Sequence, residues 1–399
     1  MTQTAFIALE EPPASAPSGS FALWQLGFRP FYLLASLFAA LSIPLWALQY
    51  TGVLGTPYLH GPLWHAHEML FGFVLAVMVG FLFTAGRNWS GQPTPTGAPL
   101  AALALLWLAA RVLVLTPYGW AAAAANTAFP LAAALALARP LVAAGNRRNY
   151  FFVALLVLLA AAALTLHLSL LGVLPLPGRS AIQLGLDIVL FIMAVMAGRV
   201  LPMFINNGVP GARAVRHSAL EKAALGSLLL LAALDLADPQ GLALAWLAAL
   251  AAALHLARWW LWQPWKTLRT PIVWVLLAAY LWIPVHLALR TTASLGWSSA
   301  SLAAHALMVG AAGGLIIGMM TRTARGHTAR PLRADRVDVA CYLLVLGAAL
   351  VRVAVPLLQP QATMAAVLAS ALLWSAGFGL FAWHYAPVLI RPRLDGKPG

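Results

Sequence analysis

The chain has 399 residues, of which 62% are hydrophobic and 9% charged, with a formal net charge of +14. An average soluble domain is roughly a quarter charged, so this composition excludes a soluble globular protein and reads as a polytopic membrane protein. The positive balance points to a basic rim on one membrane face and not to nucleic acid, because the basic residues fall between apolar runs. Membrane lipids are therefore the expected surroundings. The single cysteine, Cys341, lies inside an apolar run, which leaves no disulfide framework, no thiolate cluster and no Cys-x-x-Cys-His for covalent haem attachment.

Residues 1–20 contain Glu10, Glu11, Pro12, Pro13 and a Ser-Ala-Pro-Ser-Gly-Ser run, and are expected to be a disordered tail. They lack the basic segment and apolar core of a secretory signal. Residues 21–399 are expected to form a single all-α domain, a bundle of about 12 transmembrane helices. The apolar runs span 31–50, 64–85, 98–116, 118–139, 150–171, 181–203, 219–236, 240–258, 270–290, 298–321, 335–356 and 362–390. With both termini cytoplasmic, 18 Lys and Arg fall on the cytoplasmic side, whereas only Arg179 and Arg290 fall in the opposite loops. An asymmetry that survives twelve alternations supports both the helix count and the topology.

The second run opens on Trp64-His65-Ala66-His67-Glu68-Met69. Ionisable groups are expensive inside a bilayer, so three within four residues at the mouth of an apolar helix need a partner such as a metal or a haem. At 100° per residue, His65 and Glu68 share one face and His67 points nearly the opposite way. The helix is thus expected to serve two neighbours, with Glu68 orienting His65 or delivering a proton. Counting about 1.5 Å per residue, His167, His286, Asp187 and His305 fall at a similar depth, roughly 5 to 10 Å below the outer surface. Arg111 and Arg352 project into the same layer, either snorkelling outward, pairing with Glu68 and Asp187, or holding haem propionates. His255 and His384 lie near cytoplasmic helix ends and His217 and His327 in cytoplasmic loops, where interfacial or solvated roles suffice. In the tenth run Gly310, Gly314 and Gly318 repeat every four residues, a pattern that lets a neighbouring backbone approach closely.

Several blocks together carry a family resemblance. They are Gly27-Phe28-Arg29-Pro30-Phe31, the Trp64–Phe73 block, Phe81-Leu82-Phe83-Thr84-Ala85 with Asn88-Trp89-Ser90-Gly91, Gly198-Arg199-Val200-Leu201-Pro202-Met203-Phe204, and His305 to Gly310 followed by Met320-Thr321-Arg322 and Gly326-His327-Thr328. From about residue 21 to its end the chain resembles the NnrS family, and the long Trp-His-x-His-Glu-Met block makes the match specific. The resemblance implies a bacterial inner-membrane protein with haem and copper, associated with denitrification and the nitric oxide stress response. Members often carry a histidine shortly before the tyrosine of the ninth helix; here Leu276-Leu277 precede Tyr280, and His286 lies further along.

Nitric oxide is small, uncharged and lipid-soluble, so an intramembrane site is open to it. The expected function is a haem-copper centre that binds nitric oxide and reduces it to nitrous oxide. Haem b and copper are the expected cofactors, His65, His67 and His305 the expected metal ligands, and Glu68 a proton donor. His167, His286 and Asp187 are further metal-ligand candidates, and Arg111 and Arg352 further haem contacts. Electrons would come from quinol or a separate donor, since the chain carries no copper-sulfur entry motif. Two alternatives stand beside this: a haem-copper protein that sequesters or senses nitric oxide without turnover, and a transporter, for which polar positions near mid-bilayer and repeated halves are expected.

Overall fold

A computed structural model describes residues 21–50, 52–53, 57–237 and 241–397, so the expected tail at 1–20 lies outside the described residues. Among the described residues the chain is an all-α polytopic membrane bundle without strands. Its helical rods are α1 (Phe28–Tyr50), α2 (Gly61–Ser90), α3 (Gly97–Leu113), α4 (Gly119–Ala143), α5 (Arg147–Leu170) and α6 (Gly178–Gly208). The second half comprises α7 (Ser218–Ala237), α8 (Leu242–Leu261), α9 (Pro271–Ser294), α10 (Ala300–His327), α11 (Arg336–Leu358) and α12 (Thr363–Ile390). Among the described residues, ten rods are long and apolar enough to cross a membrane. The other two are α3, with 17 residues, and α7, which carries Glu221, Lys222 and Asp235. In an apolar medium every backbone group must bond within its own segment, which is why these sequences form helices and nothing else.

Successive helices pack as antiparallel neighbours, and α1 packs against α12. The chain ends are tied together: Ala22 N donates to Ile390 O at 2.8 Å, and the buried Arg29 guanidinium donates to the carbonyls of Leu389 (2.9 Å) and Arg391 (2.7 Å). Arg29 thereby caps the negative end of α12. The basic segments meet at this same end. Gly97 N bonds Trp24 O, Asn146 bonds Trp89 O, Arg199 bonds Asn149, and Leu394 N bonds Thr328 O. At the opposite end Tyr58 N bonds Thr116 O.

Three arginines depart from the expected rim. Arg258, read as a cytoplasmic loop residue, is buried in α8 and bonds Glu221 at 3.0 and 2.9 Å. Arg325 of α10 bridges Asp338 (2.6 Å) and Tyr385 (2.9 Å). Arg290, read as an outer-loop residue, lies inside α9 and is buried. Each has a carboxylate within reach, so pairing overrides the preference of an arginine for water.

Helix α2 is the axis of the bundle, with 94% of its most apolar window buried. It departs from regular α geometry at Glu68–Val74, where the backbone bonds in wide π turns, and α10 does the same at Ala306–Gly313. Such turns add a residue to the local turn and re-aim the side chains that follow. Helix α9 is interrupted at Leu281, because Pro284 cannot supply the N–H that would bond the Tyr280 carbonyl. The glycine row of α10 faces α9. A Cβ at Gly314 would lie 2.6 Å from Ala279 Cβ, and one at Gly318 would lie 2.7 Å from Leu276 Cδ2.

Two expectations follow. Gly314→Val drives a branched side chain into Ala279 and should destabilise the protein by about 1–3 kcal/mol, read as a lower unfolding midpoint in detergent; an unchanged midpoint would show that the α9–α10 contact is looser than described. The basic end should face the cytoplasm, so in a Cys341→Ala background a cysteine at Arg333 should resist an impermeant reagent added from outside, and labelling there would invert the topology.

Candidate functional site: two histidine pairs on either side of one helix

Four of the sequence-predicted histidines gather into two pairs flanking α2. The first pair lines a cavity of about 370 Å³ bounded by α1, α2, α6, α10, α11 and α12. His65 of α2 and His305 of α10 face one another there, with ring centroids 6.3 Å apart and planes within 15° of parallel. Apolar walls come from Trp46, Met69, Phe73, Met308 and Trp374, and Arg352 of α11 supplies a positive group. His305 Nδ1 lies 2.6 Å from Ser301 O. A carbonyl only accepts, so Nδ1 carries the proton and Nε2 keeps its lone pair. His65 Nδ1 is buried and has no hydrogen-bond partner among the described residues.

The second pair sits on the other side of α2. His67 and His167 of α5 meet edge to face with centroids 5.0 Å apart, and both are fully buried. His67 Nδ1 lies 2.7 Å from Glu68 Oε1, and His167 Nδ1 lies 3.2 Å from the Tyr58 hydroxyl. The outer nitrogens, Nε2 of each ring, are buried without a partner among the described residues. Burial pushes the Tyr58 phenol up to about 12, so it remains a neutral hydroxyl at any physiological pH.

A polar relay extends from this pair into the bundle. Arg111 of α3 donates to Glu68 and also to Asn126 of α4, whose amide in turn donates to Ala122 O at 2.9 Å. Gly72 makes this possible, since a Cβ there would lie 2.8 Å from Arg111 Nη1 and 2.9 Å from Phe38. Trp107 Nε1 bonds the Gly72 carbonyl at 3.0 Å, fixing the wide-turned segment against α3.

Regular spacing placed Glu68 beside His65, and here the structure differs. Glu68 begins the π-turned segment, and its carboxylate folds back onto the adjacent His67. The opposed directions of His65 and His67 are as the spacing predicts. Arg111 and Arg352 do not share a site: Arg111 holds Glu68, whereas Arg352 faces the cavity. His286 and Asp187 belong to neither pair. Asp187 bonds Arg290 of α9 (3.2 Å) and Gln183 (2.9 Å), and His286 Nδ1 bonds Ala303 O (2.7 Å). His255 has both nitrogens engaged, by Tyr280 (2.6 Å) and Ala224 O (3.3 Å), which fits a packing role. His384 bonds Asp335 at 3.2 Å at the basic end; Asp335, Asp338 and His384 have metal-like spacing, but Arg325 already fills that acidic group.

Tyr58, Asn126 and Asp235 escaped sequence reasoning. Asn126 follows five consecutive alanines in an apolar run, and a lone amide in such a run is itself a signal for a buried partner. Tyr58 lies in the α1–α2 connection, where nothing local announces a contact 109 residues away.

Compared with known proteins, residues 22–393 match the family model described as NnrS protein. None of the curated proteins compared matches the chain. The matched segment contains every residue of both histidine pairs and of the relay behind them, and it supports a multi-pass membrane protein of the nitric oxide response: the chain belongs to the NnrS family.

Proposed function

We propose that the protein binds nitric oxide at a haem-copper centre in the outer half of the membrane and reduces it to nitrous oxide. The observation that carries this reading is the state of the histidines: His67, oriented by Glu68, and His167, oriented by Tyr58, each keep a buried Nε2 that has no partner among the described residues, beside the other ring. A histidine held through one nitrogen by a carboxylate or hydroxyl, with the other left free, is prepared to ligate a metal. Unpartnered buried nitrogen otherwise destabilises a fold by roughly 1–3 kcal/mol each.

The residues present fit both groups. His67 and His167 would hold copper, for which imidazole is a suitable ligand. The cavity falls in the 300–1,000 Å³ range of cofactor sites; His65 and His305 would hold haem b there, with Arg352 on a propionate. When bound, the two metals supply electrons and coordination to the nitrogen oxide, in a reaction that joins two nitric oxide molecules using two electrons and two protons and releases nitrous oxide and water.

The chain's own residues do the rest. The apolar wall of the cavity admits an uncharged diatomic gas and excludes water. Glu68, bonded to His67 and Arg111, holds the imidazole in one orientation and can carry a proton at Oε2, which has no partner among the described residues. Arg111 and Asn126 keep that carboxylate in place. Quinol or a separate protein is the electron donor, and the bacterial cytoplasmic membrane is the setting.

Purified protein from a host supplied with iron and copper should contain haem b by pyridine haemochrome and copper by elemental analysis. His65→Ala and His305→Ala should lose haem and keep copper, while His67→Ala and His167→Ala should do the reverse; four variants with full occupancy of both would sink the ligand assignment. Tyr58→Phe, which removes only the hydroxyl bonded to His167, should weaken copper binding about 10–100-fold without loss of haem. Anaerobic gas measurement on reduced protein given nitric oxide should detect nitrous oxide. Tight nitric oxide binding without nitrous oxide would replace the reductase by a sequestering or sensing protein.

A further inference from the structure

The group set aside above, between α6, α7 and α9, has a charge balance that does not close. Asp187 of α6 and Asp235 of α7 both contact Arg290 of α9: Nη1 lies 3.2 Å from Asp187 Oδ1, and Nη2 lies 2.5 and 2.6 Å from the two Asp235 oxygens. All three side chains are at most 9% exposed. Two ionised carboxylates against one guanidinium would leave a net negative charge inside an apolar bundle, which is strongly unfavourable. The other groups facing the cluster do not neutralise it. Gln183 donates an amide proton to Asp187 Oδ1, α8 presents the Ala245 carbonyl to Thr291, and His286 spends its Nδ1 proton on Ala303 O of α10.

The missing charge is a proton and not a metal ion. Asp235 commits both oxygens to Arg290, and Asp187 commits Oδ1 to Arg290 and Gln183, so among the described residues the carboxylate oxygen of this pair without a donor is Asp187 Oδ2. A cation needs several oxygens at once, and among the described residues this group does not have metal-ligand spacing. One oxygen suffices for a proton.

From this geometry we propose that Asp187 and Asp235 share one exchangeable proton, forming a proton-holding site on the outer side of the bundle. Asp235 lies two residues from the end of α7, at the outer end, whereas Asp187 lies deeper on α6, next to Leu186 in the wall of the cavity. The site therefore lies buried between the outer end of α7 and the α6 segment behind the cavity wall, and His286 Nε2, four residues before Arg290 on the same face of α9, is buried without a hydrogen-bond partner among the described residues. A reaction in the cavity that consumes protons would draw them from the outer side by this route. That use rests on the reductase reading; the shared proton does not.

The test is infrared spectroscopy of the purified full-length protein without metals or nitric oxide. The wild type should show a protonated carboxylic acid C=O band that shifts down in D2O. Asp187→Asn and Asp235→Asn should each abolish it, because a single remaining carboxylate is neutralised by Arg290 and needs no proton. Absence of the band from the wild type, or its survival in either variant, overturns the proposal. Should an Asn variant aggregate, Asp187→Glu and Asp235→Glu must each move the band, and an unmoved band has the same overturning force. Because no gas or cofactor enters the measurement, its outcome is independent of whether nitrous oxide is formed.

Discussion

The ion pair between Arg111 and Glu68 is the constraint on which the centre of this molecule depends. Both side chains are buried inside a bundle of apolar helices. Removing one partner of such a pair typically costs about 3–5 kcal/mol, while replacing both by apolar residues of the same shape is often neutral or stabilising. Stability alone therefore gives no reason for the pair to exist. The wider arrangement does: Glu68 orients His67, Arg111 holds Glu68, Asn126 holds Arg111, and Gly72 is the absence of a side chain that lets the guanidinium through. Four positions on three helices serve to keep one imidazole turned toward His167.

The same reasoning divides the family motifs into two kinds. In the first block Gly27 packs against Phe83, Phe28 N bonds Thr84 Oγ1 at 3.1 Å, and Arg29 caps α12; these residues lock α1 to α2 and α12 and never approach the cavity. Gly198 has a similar part, since a Cβ there would collide with Arg258 and lie 2.7 Å from Glu221 Oε2. Its glycine leaves space for the ion pair that joins α7 to α8 against α6. By contrast, the Trp64–Phe73 block and His305 build the two histidine pairs. A motif rich in glycine and arginine thus marks close packing with charge compensation as readily as it marks a site.

Much of this was legible in the sequence. Apolar run length and loop charge locate the helices, and helical phase separates His65 from His67. What could not be read was decided by side-chain direction or by long-range partners. The Glu68 carboxylate turns to His67 and Arg111 and not to His65, a choice that helical phase alone does not make. Arg290 looked like a loop residue because the charge tally assigns arginine to water by default; Asp187 and Asp235, on helices 103 and 55 residues away in sequence, reverse that default. Tyr58 and Asn126 were missed for the same reason, since each matters only through a residue that folding brings to it.

Helix α2 thereby separates two environments that one helix would ordinarily blend. On the side of His65 lies a largely apolar cavity whose polar lining includes the imidazoles, Arg352, Ser301 and Ser370; on the side of His67 lies a dense polar relay. A Glu68 carboxylate turned toward His65 would have entered the cavity wall, where it would attract water. Its bonds to His67 and Arg111 instead hold it on the relay side. Wide turns also follow directly on His305, the second cavity histidine, and the glycine row beyond them seats α10 on α9. The bonds of Glu68 to His67 and Arg111 are what keep the charge that orients a histidine out of the cavity.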